Sequence, residues 1–136
     1  METQAGLDYL RTHHRSVLIT RRGDGEPNPS PVVHGVDEQG RVVISSREPA
    51  FKVRNLRRDP RVVLCAFPDQ FFGDWVQMRG QAEIISMPDA LPGLEALYRQ
   101  VQGEHPDWDD YRAAMARDRR VIIAITPESF GPDRQA

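Results

Sequence analysis

Residues 16–46 of the chain, SVLITRRGDGEPNPSPVVHGVDEQGRVVISS, contain three strand-like segments separated by two turns. The segments 16–22 and 41–46 are short runs rich in β-branched and apolar residues, which favour β-structure. Asp24-Gly25 is a strong signal for a tight hairpin, and a second turn falls at 37–40. This stretch therefore predicts three consecutive strands joined by hairpin turns.

The middle strand, predicted at 28–36, carries two prolines at alternate positions. Pro29 and Pro31 would place their side chains on one face of the strand, and neither has an N–H group to donate. Two prolines cannot sit in a regular central ladder. We therefore expect this strand to be irregular or to lie at an edge.

The rest of the chain predicts three more strands and four helices. Strands are predicted at 61–67, at 75–87 with a bulge or bend at Gly80, and at 119–126, after which the tail is expected to fray. Helices are predicted at 4–14, 49–58, 88–102 and 107–117. Six short strands with few helices indicate a mainly β (α+β) fold, an antiparallel barrel with peripheral helices, in one domain over 1–136.

The composition excludes several classes of protein. The chain has 136 residues and a net charge of −2, so no global attraction draws it to nucleic acid or to an anionic membrane. A single cysteine, Cys65, rules out an internal disulfide framework. We find no membrane-length apolar run and no signal-peptide pattern, and we expect a cytoplasmic protein.

No familiar catalytic or metal-binding constellation occurs. The four histidines lack metal-ligand spacing, and Cys65 in an apolar strand is typical of a buried, unreactive thiol. Asp107, Asp109 and Asp110 fall at the start of a predicted helix, where carboxylates cap the helix and complement its dipole. We therefore expect no metal site, and we name no catalytic side chain.

The chain's positive charge is concentrated between residues 47 and 61. This segment holds six basic and two acidic residues, and it contains Lys52, the single lysine beside 17 arginines in the whole chain. Ser45 and Ser46 end a strand just before it, and a short helix starts within it. Hydroxyl groups, basic side chains and a helix N-terminus are together typical of an anion site. A solvated basic face remains the alternative.

Two stretches of this sequence carry a family resemblance: the run KVRNLRRDPR at 52–61, and 98–111 with its Gly-Glu-His and Trp-Asp-Asp triplets. Together with the strand order and the more widespread Arg79-Gly80 pair, they resemble the pyridoxamine 5'-phosphate oxidase-like (FMN-binding) split barrels. Within that family the chain is most similar to the actinobacterial branch that uses the deazaflavin coenzyme F420. The resemblance covers about residues 7–131.

The resemblance implies a six-stranded split barrel that forms a homodimer, with two cofactor sites at the subunit interface. The cofactor would lie across the second and third strands. The residues implied in its binding are Ser30, Pro31 and Val32 at the ring, Ser45, Ser46 and Arg47 near the ribityl or phosphate portion, Lys52, Arg54 and Asn55 at the phosphate, and Trp75 and Gln77 along the pocket. Relatives often carry a basic residue two positions before the lysine, where this chain has Ala50, and Arg47 would replace it.

The resemblance further implies an F420-dependent oxidoreductase that transfers a hydride between F420 and a small conjugated or heteroaromatic molecule. F420 carries a chain of glutamates beyond its phosphate, and the basic surplus at 47–61 suits that longer anionic tail. Two alternatives stay open: an FMN-dependent oxidase-like enzyme, and a non-catalytic protein that binds F420 or a tetrapyrrole-like ligand. The sequence does not tell whether the helices over 89–118 line the pocket or only cover the barrel.

Overall fold

The computed structural model describes residues 1–133, so the last three residues of the predicted domain lie outside the described part. The elements are α1 (Thr3–Thr12), β1 (Arg15–Arg21), β2 (Pro27–Val36), β3 (Val42–Arg47), α2 (Phe51–Arg58), β4 (Arg61–Phe67), β5 (Val76–Ser86), α3 (Leu91–Gln102), α4 (Trp108–Arg117) and β6 (Arg120–Gly131). None of the helices within residues 1–133 has the length and apolarity needed to cross a bilayer.

The six strands form one antiparallel barrel in the order β1-β2-β3-β6-β5-β4, with β4 closing onto β1. This confirms the predicted mainly β barrel with peripheral helices. The prediction that the tail frays after residue 126 is wrong, because β6 continues to Gly131. Its extra residues pair with β5, with Phe130 opposite Met78 and Gly131 opposite Gln77.

Strand β2 changes neighbours along its length. Residues 27–33 pair with β1, whereas pairing with β3 is confined to 34–36. Over 27–33 the described strands therefore supply β2 with a partner along one edge only. The expectation of an irregular or edge strand is confirmed, and Pro29 and Pro31 both lie in this one-sided part, where a missing N–H donor is tolerated.

Gly80 marks the bend of β5. The register of β5 against β6 shifts between Arg79 and Gly80, which confirms the predicted irregularity. A Cβ atom at Gly80 would overlap the carbonyl oxygen of Thr126 on β6. Glycine at this position therefore permits the close approach of the two strands where the ladder shifts.

The apolar residues divide into two clusters on the two sides of the sheet. The larger cluster fills the barrel, with Leu18, Ile44, Leu64, Met78 and Ile123 all essentially without exposed surface. The second cluster lies between the outer surface of β3 and β6 and the helices α3 and α4, and consists of Val43, Ala90, Leu94, Leu97, Tyr111, Ile122 and Ala124. The second cluster anchors the helical pair that covers one side of the barrel.

His34 is buried where β2 passes from β1 to β3. Its Nδ1 lies 2.8 Å from the Ser16 hydroxyl, whereas its Nε2 has no hydrogen-bond partner among the described residues. Burial, followed by the charge of His14, lowers the pKa of His34 to about 4. The imidazole is therefore neutral in the folded chain at neutral pH.

Because the unfolded chain binds this proton near the ordinary histidine pKa of about 6.5, acid favours unfolding. The contribution of His34 to stability is complete above pH 6.5 and falls as the pH drops toward 4. We expect a loss of about 3 kcal/mol over that interval. Chemical denaturation at stepped pH measures it, and His34→Gln should flatten the dependence while His105→Gln should retain it. An unchanged slope in His34→Gln would contradict the assignment.

Candidate functional site

A cavity of about 510 Å³ lies where β2 and β3 separate, beneath the α3–α4 pair, and we call it the helix-covered cavity. Its strand side is Pro31, Val32 and Val33 of β2 and Ser45 of β3. Its helix side is apolar and aromatic, made of Leu94, Leu97, Tyr98, Val101, Tyr111 and Met115. The helices over 89–118, whose role the sequence left open, therefore form one wall of the cavity.

Two hydrogen-bonded contacts fix the position of that wall. The side chain of Gln100 on α3 accepts from the backbone N–H of Val36 and donates to its carbonyl, both at 2.8 Å. Gly35 allows this contact, because a Cβ there would lie 2.7 Å from the Gln100 Oε1. The Tyr111 hydroxyl donates to the Leu94 carbonyl at 2.9 Å, which ties α4 to α3.

An aromatic cluster continues the wall beyond Tyr111. The rings of Tyr98, His105, Trp108 and Tyr111 lie with centroids 5.0–5.8 Å apart, and Arg99 stacks over Trp108 at 4.3 Å. Edge-to-face and tilted ring packing of this kind holds side chains rigidly. The stretch 98–111, which carries part of the resemblance, therefore forms the outer end of the cavity wall.

The polar groups of the cavity are mainly cationic. Lys52 from α2 and Arg120 from β6 both line it, together with Ser45 and Gln102, and no carboxylate is among its described lining residues. The Nε of Arg120 is buried and has no hydrogen-bond partner within the described chain. A cavity with an apolar wall and two cations suits a ligand that is flat and apolar in one part and negatively charged in another.

The helix α2 separates this cavity from a second one. Lys52 faces the helix-covered cavity, whereas Phe51, Arg54 and Asn55 face an open cavity of about 500 Å³ on the other side. The remaining residues of this second cavity, which we call the arginine cavity, are Arg22, Gly23, Asn28 and Arg58. The predicted phosphate residues thus lie on both sides of one helix.

Asn55 is held by contacts within the protein. Its Nδ2 donates to the Thr20 hydroxyl at 3.0 Å, and its Oδ1 accepts from the Arg58 guanidinium at 3.1 Å. Only 6% of the residue is exposed. This pair of bonds fastens α2 onto β1 and orients Arg58 along the arginine cavity.

Neighbouring residues of β2 and β3 point to opposite faces of the sheet. Ser45 faces the helix-covered cavity, whereas Ser46 is buried and points to the opposite face of β3. The Ser30 hydroxyl is buried without a partner among the described residues. Arg47 directs its Nε to the Asp118 carbonyl at 3.3 Å and does not line the cavity.

Trp75 and Gln77 lie elsewhere on the barrel. Gln77 is in register with Cys65, Val17 and Pro31 across β5, β4, β1 and β2. Three strand spacings separate Gln77 from Pro31, which is roughly 14 Å. Neither Trp75 nor Gln77 lines the helix-covered cavity of its own chain.

The lining residues offer little acid–base chemistry. Burial, followed by the charge of Glu95, raises the pKa of Tyr111, and Arg120 opposes this effect. Burial also raises the pKa of the Cys65 thiol, which lies on the outer side of β4, away from the cavity. Among residues 1–133, no three histidine, cysteine or acidic side chains gather as metal ligands would.

The sequence left the role of the helical wall open, and Arg120 was not among the residues it indicated. Residue alternation along β6 places Arg120 on the same face as Ile122, and this could have been read from the strand pattern. The pairing of β3 with β6, which brings that face to Ser45, joins segments more than seventy residues apart. No local signal predicts such a pairing.

Comparison with known proteins identifies the family. The sequence model of the pyridoxamine 5'-phosphate oxidase family matches residues 3–131. The chain belongs to this family. The matched residues include all six strands and all four helices described above.

Solved structures with the family fold differ in their described roles. A conserved hypothetical protein of Mycobacterium tuberculosis, Rv2991, superposes with a TM-score of 0.76 at 22% identity, covering 96% of this chain and 82% of that one. An F420 reductase superposes with a TM-score of 0.70 at 23% identity, covering 91% and 94%. HutZ of Vibrio cholerae, described as a heme storage protein, gives 0.71 at 16%, covering 96% and 94%. At these identities the likeness shows the fold alone.

Proposed function

We propose that this member of the pyridoxamine 5'-phosphate oxidase family is an F420-dependent oxidoreductase of the cytoplasm, acting on a small conjugated or heteroaromatic molecule. The observation that carries the proposal is the helix-covered cavity, which combines an apolar and aromatic wall with Lys52 and Arg120 and has no lining carboxylate among the described residues. A ligand with a flat ring attached to an anionic chain would match the apolar wall with its ring and the two cations with its chain.

The residues of the two cavities fit such a cofactor. Pro31 and Val32 offer an apolar strip for a ring. Ser30 lines neither cavity, and its hydroxyl is buried without a partner among the described residues. Lys52 and Ser45 would meet a phosphate, because a lysine ammonium and a hydroxyl are ordinary phosphate donors. Ser46, Arg47 and Asn55 make internal contacts in this structure and would act by shaping the strand end and α2.

The arginine cavity supports F420 over FMN. Arg22, Arg54 and Arg58 line it, and it begins on the side of α2 opposite to Lys52. FMN ends at its phosphate, whereas F420 continues into a chain of carboxylates. A second cationic cavity on the other side of α2 offers partners for the carboxylates of the longer ligand, which would have to pass around the helix to reach it.

When bound, F420 would supply hydride chemistry. The chain's own contribution would be to bind, orient and shield the reacting groups. Tyr98, Val101 and Met115 offer an apolar wall against which a flat acceptor could stack. The Tyr111 hydroxyl already donates to Leu94, so we assign it a structural role and name no catalytic side chain.

Two other functions remain as alternatives. An FMN-dependent oxidase-like enzyme would use the same cavity with the arginine cavity empty. A non-catalytic binding protein for F420 or a tetrapyrrole-like ligand would bind without turnover. Fluorescence titration of the purified protein with F420 and FMN distinguishes the proposed function from the first alternative, which requires a preference for FMN. An assay of acceptor reduction by reduced F420 distinguishes it from the second, which requires binding without turnover.

We propose further that the chain forms a homodimer with the cofactor sites at its interface. The outer face of β2, β1, β4 and β5 exposes Val33 (52%) and carries the half-buried Val17 and Cys65, and Trp75 (42%) lies beside it. Exposed apolar faces of this kind often mark contacts between proteins. A second copy on this face would also explain how Trp75 and Gln77 could reach a cofactor that their own chain keeps distant.

Lys52→Ala should weaken the binding of both F420 and FMN. The phosphate common to the two ligands would lose a charge-assisted hydrogen bond, so binding of each ligand should become less favourable by about 1.5–3 kcal/mol. Fluorescence quenching gives the two dissociation constants, and Arg117→Ala, on the exposed side of α4, is the control. Unchanged constants would remove Lys52 from the site.

Arg54→Ala should distinguish the two cofactors. Because Arg54 lines the arginine cavity and is exposed, we expect F420 binding to weaken by up to about fivefold at low salt, and FMN binding to stay the same. The difference should shrink as salt is added. An equal effect on both ligands would mean that Arg54 acts on the phosphate and not on the acidic tail.

Val17→Glu should disrupt the dimer. It places a carboxylate in the middle of the proposed contact face, where it would be desolvated in the dimer and solvated in the monomer. Sedimentation equilibrium should give a dimer for the wild type and a monomer for the variant, with Arg117→Glu remaining dimeric. A monomeric wild type that still binds F420 would contradict the proposed assembly.

A further inference from the structure

Arg120 is a half-buried arginine whose side chain has no obvious structural role. Its Nε is shielded from solvent yet has no hydrogen-bond partner in the described chain. Folded proteins pair almost all their buried polar groups, and a charged group left unpaired is especially costly. A group that costs stability and forms no internal bond is a candidate for contact with a ligand.

The neighbouring carboxylates are already engaged elsewhere. Glu95, whose charge acts on the adjacent Tyr111, pairs with Arg112 at 2.8 Å. Glu48, near the start of α2, pairs with Arg57 at 2.8 Å. No ion pair within the described residues involves Arg120. Its charge is therefore uncompensated within the described part of the chain.

The strand register aims Arg120 into the helix-covered cavity. It lies opposite Arg47 in the pairing of β6 with β3, and two residues before Ile122, which faces α3. Arg47 turns away to the Asp118 carbonyl, whereas Arg120 lines the cavity. The cavity thus receives one cation from β6 and another, Lys52, from α2.

The surroundings of Arg120 differ from those expected of a phosphate site. Arg120 interacts with Tyr111 and shares the apolar and aromatic wall, whereas Lys52 stands at the start of a helix. A half-buried guanidinium beside rings suits a planar group whose negative charge is dispersed over oxygen and nitrogen atoms. Its rigid fork of N–H donors matches two acceptors in one plane.

We propose that Arg120 binds the polar, oxygen-bearing edge of the cofactor's ring, while the phosphate is held from α2. This inference rests on the proposed function, since it requires a flat heteroaromatic ligand in the cavity. It assigns to β6 a binding residue that the resemblance did not include. Flavins and deazaflavins share such a ring edge, so the assignment applies whether the ligand is F420 or FMN.

The test uses riboflavin, which has the ring and lacks the phosphate, and inorganic phosphate, which lacks the ring. Arg120→Met is compared with Arg117→Met, whose arginine is exposed on α4, and with Arg120→Lys, which keeps the charge and removes the fork. Fluorescence quenching measures F420, FMN and riboflavin binding, and thermal unfolding measures the ligand-free proteins and the effect of phosphate.

We expect Arg120→Met to weaken F420, FMN and riboflavin binding alike, by about tenfold or more, as for loss of a hydrogen bond from a charged group. Arg120→Lys should recover part of that loss. The melting temperature of ligand-free Arg120→Met should equal or exceed that of the wild type, because the variant removes a buried N–H group that has no partner in the described chain. Stabilisation by inorganic phosphate should be unchanged.

Three results would overturn the assignment. A lower melting temperature of ligand-free Arg120→Met with unchanged riboflavin binding would make Arg120 structural. Loss of phosphate stabilisation with intact riboflavin binding would make it a phosphate ligand. Wild-type protein that binds none of the three ring compounds would remove the proposed function and this inference together, whereas a preference for FMN would overturn only the choice of F420.

Discussion

The divergence of β2 from β3 opens the gap around which α2, α3 and α4 are arranged. β2 pairs with β1 over 27–33 and with β3 only over 34–36. β2 and β3 are therefore separated in the stretch that contains Pro31 and Ser45. Prolines at alternate positions remove the donors that a continuous ladder would need. The chain thus keeps a closed barrel and still leaves a gap in which a ligand can contact strand residues.

Each neighbouring element completes that gap in a different way. α2 separates the helix-covered cavity from the arginine cavity, and Asn55 fastens it to β1. α3 and α4 supply the apolar wall, which Gln100 ties to the backbone of β2 at Val36. The rigid parts are held by internal hydrogen bonds, whereas Lys52 and Arg120 are left to point into the cavity. This division is what a preformed binding site requires.

The family fold by itself supports several activities, since similar barrels include an F420 reductase and a heme storage protein. Function must therefore be argued from the site. The helix-covered cavity combines two cations with an apolar and aromatic wall, and no carboxylate is among its described lining residues. These features are the ones on which the proposed flat, anionic ligand rests.

The strands, the turns and the basic segment could be predicted from the sequence, because they depend on local residue patterns. Short runs rich in β-branched and apolar residues, bounded by turn signals, predicted the strands. The hairpin signal at Asp24-Gly25 predicted the first turn, and Gly80 predicted the bend in β5. The resemblance at 52–61 implied binding residues on α2. Other relations appear only in the folded chain. Lys52 and Arg54 face different cavities, and Ser45 and Ser46 face opposite sides of the sheet. Arg120 lines the same cavity as Lys52. These relations depend on the pairing of distant strands and on the packing of α2 against the barrel. They could not be predicted locally, because neither contact is encoded in a short stretch of residues.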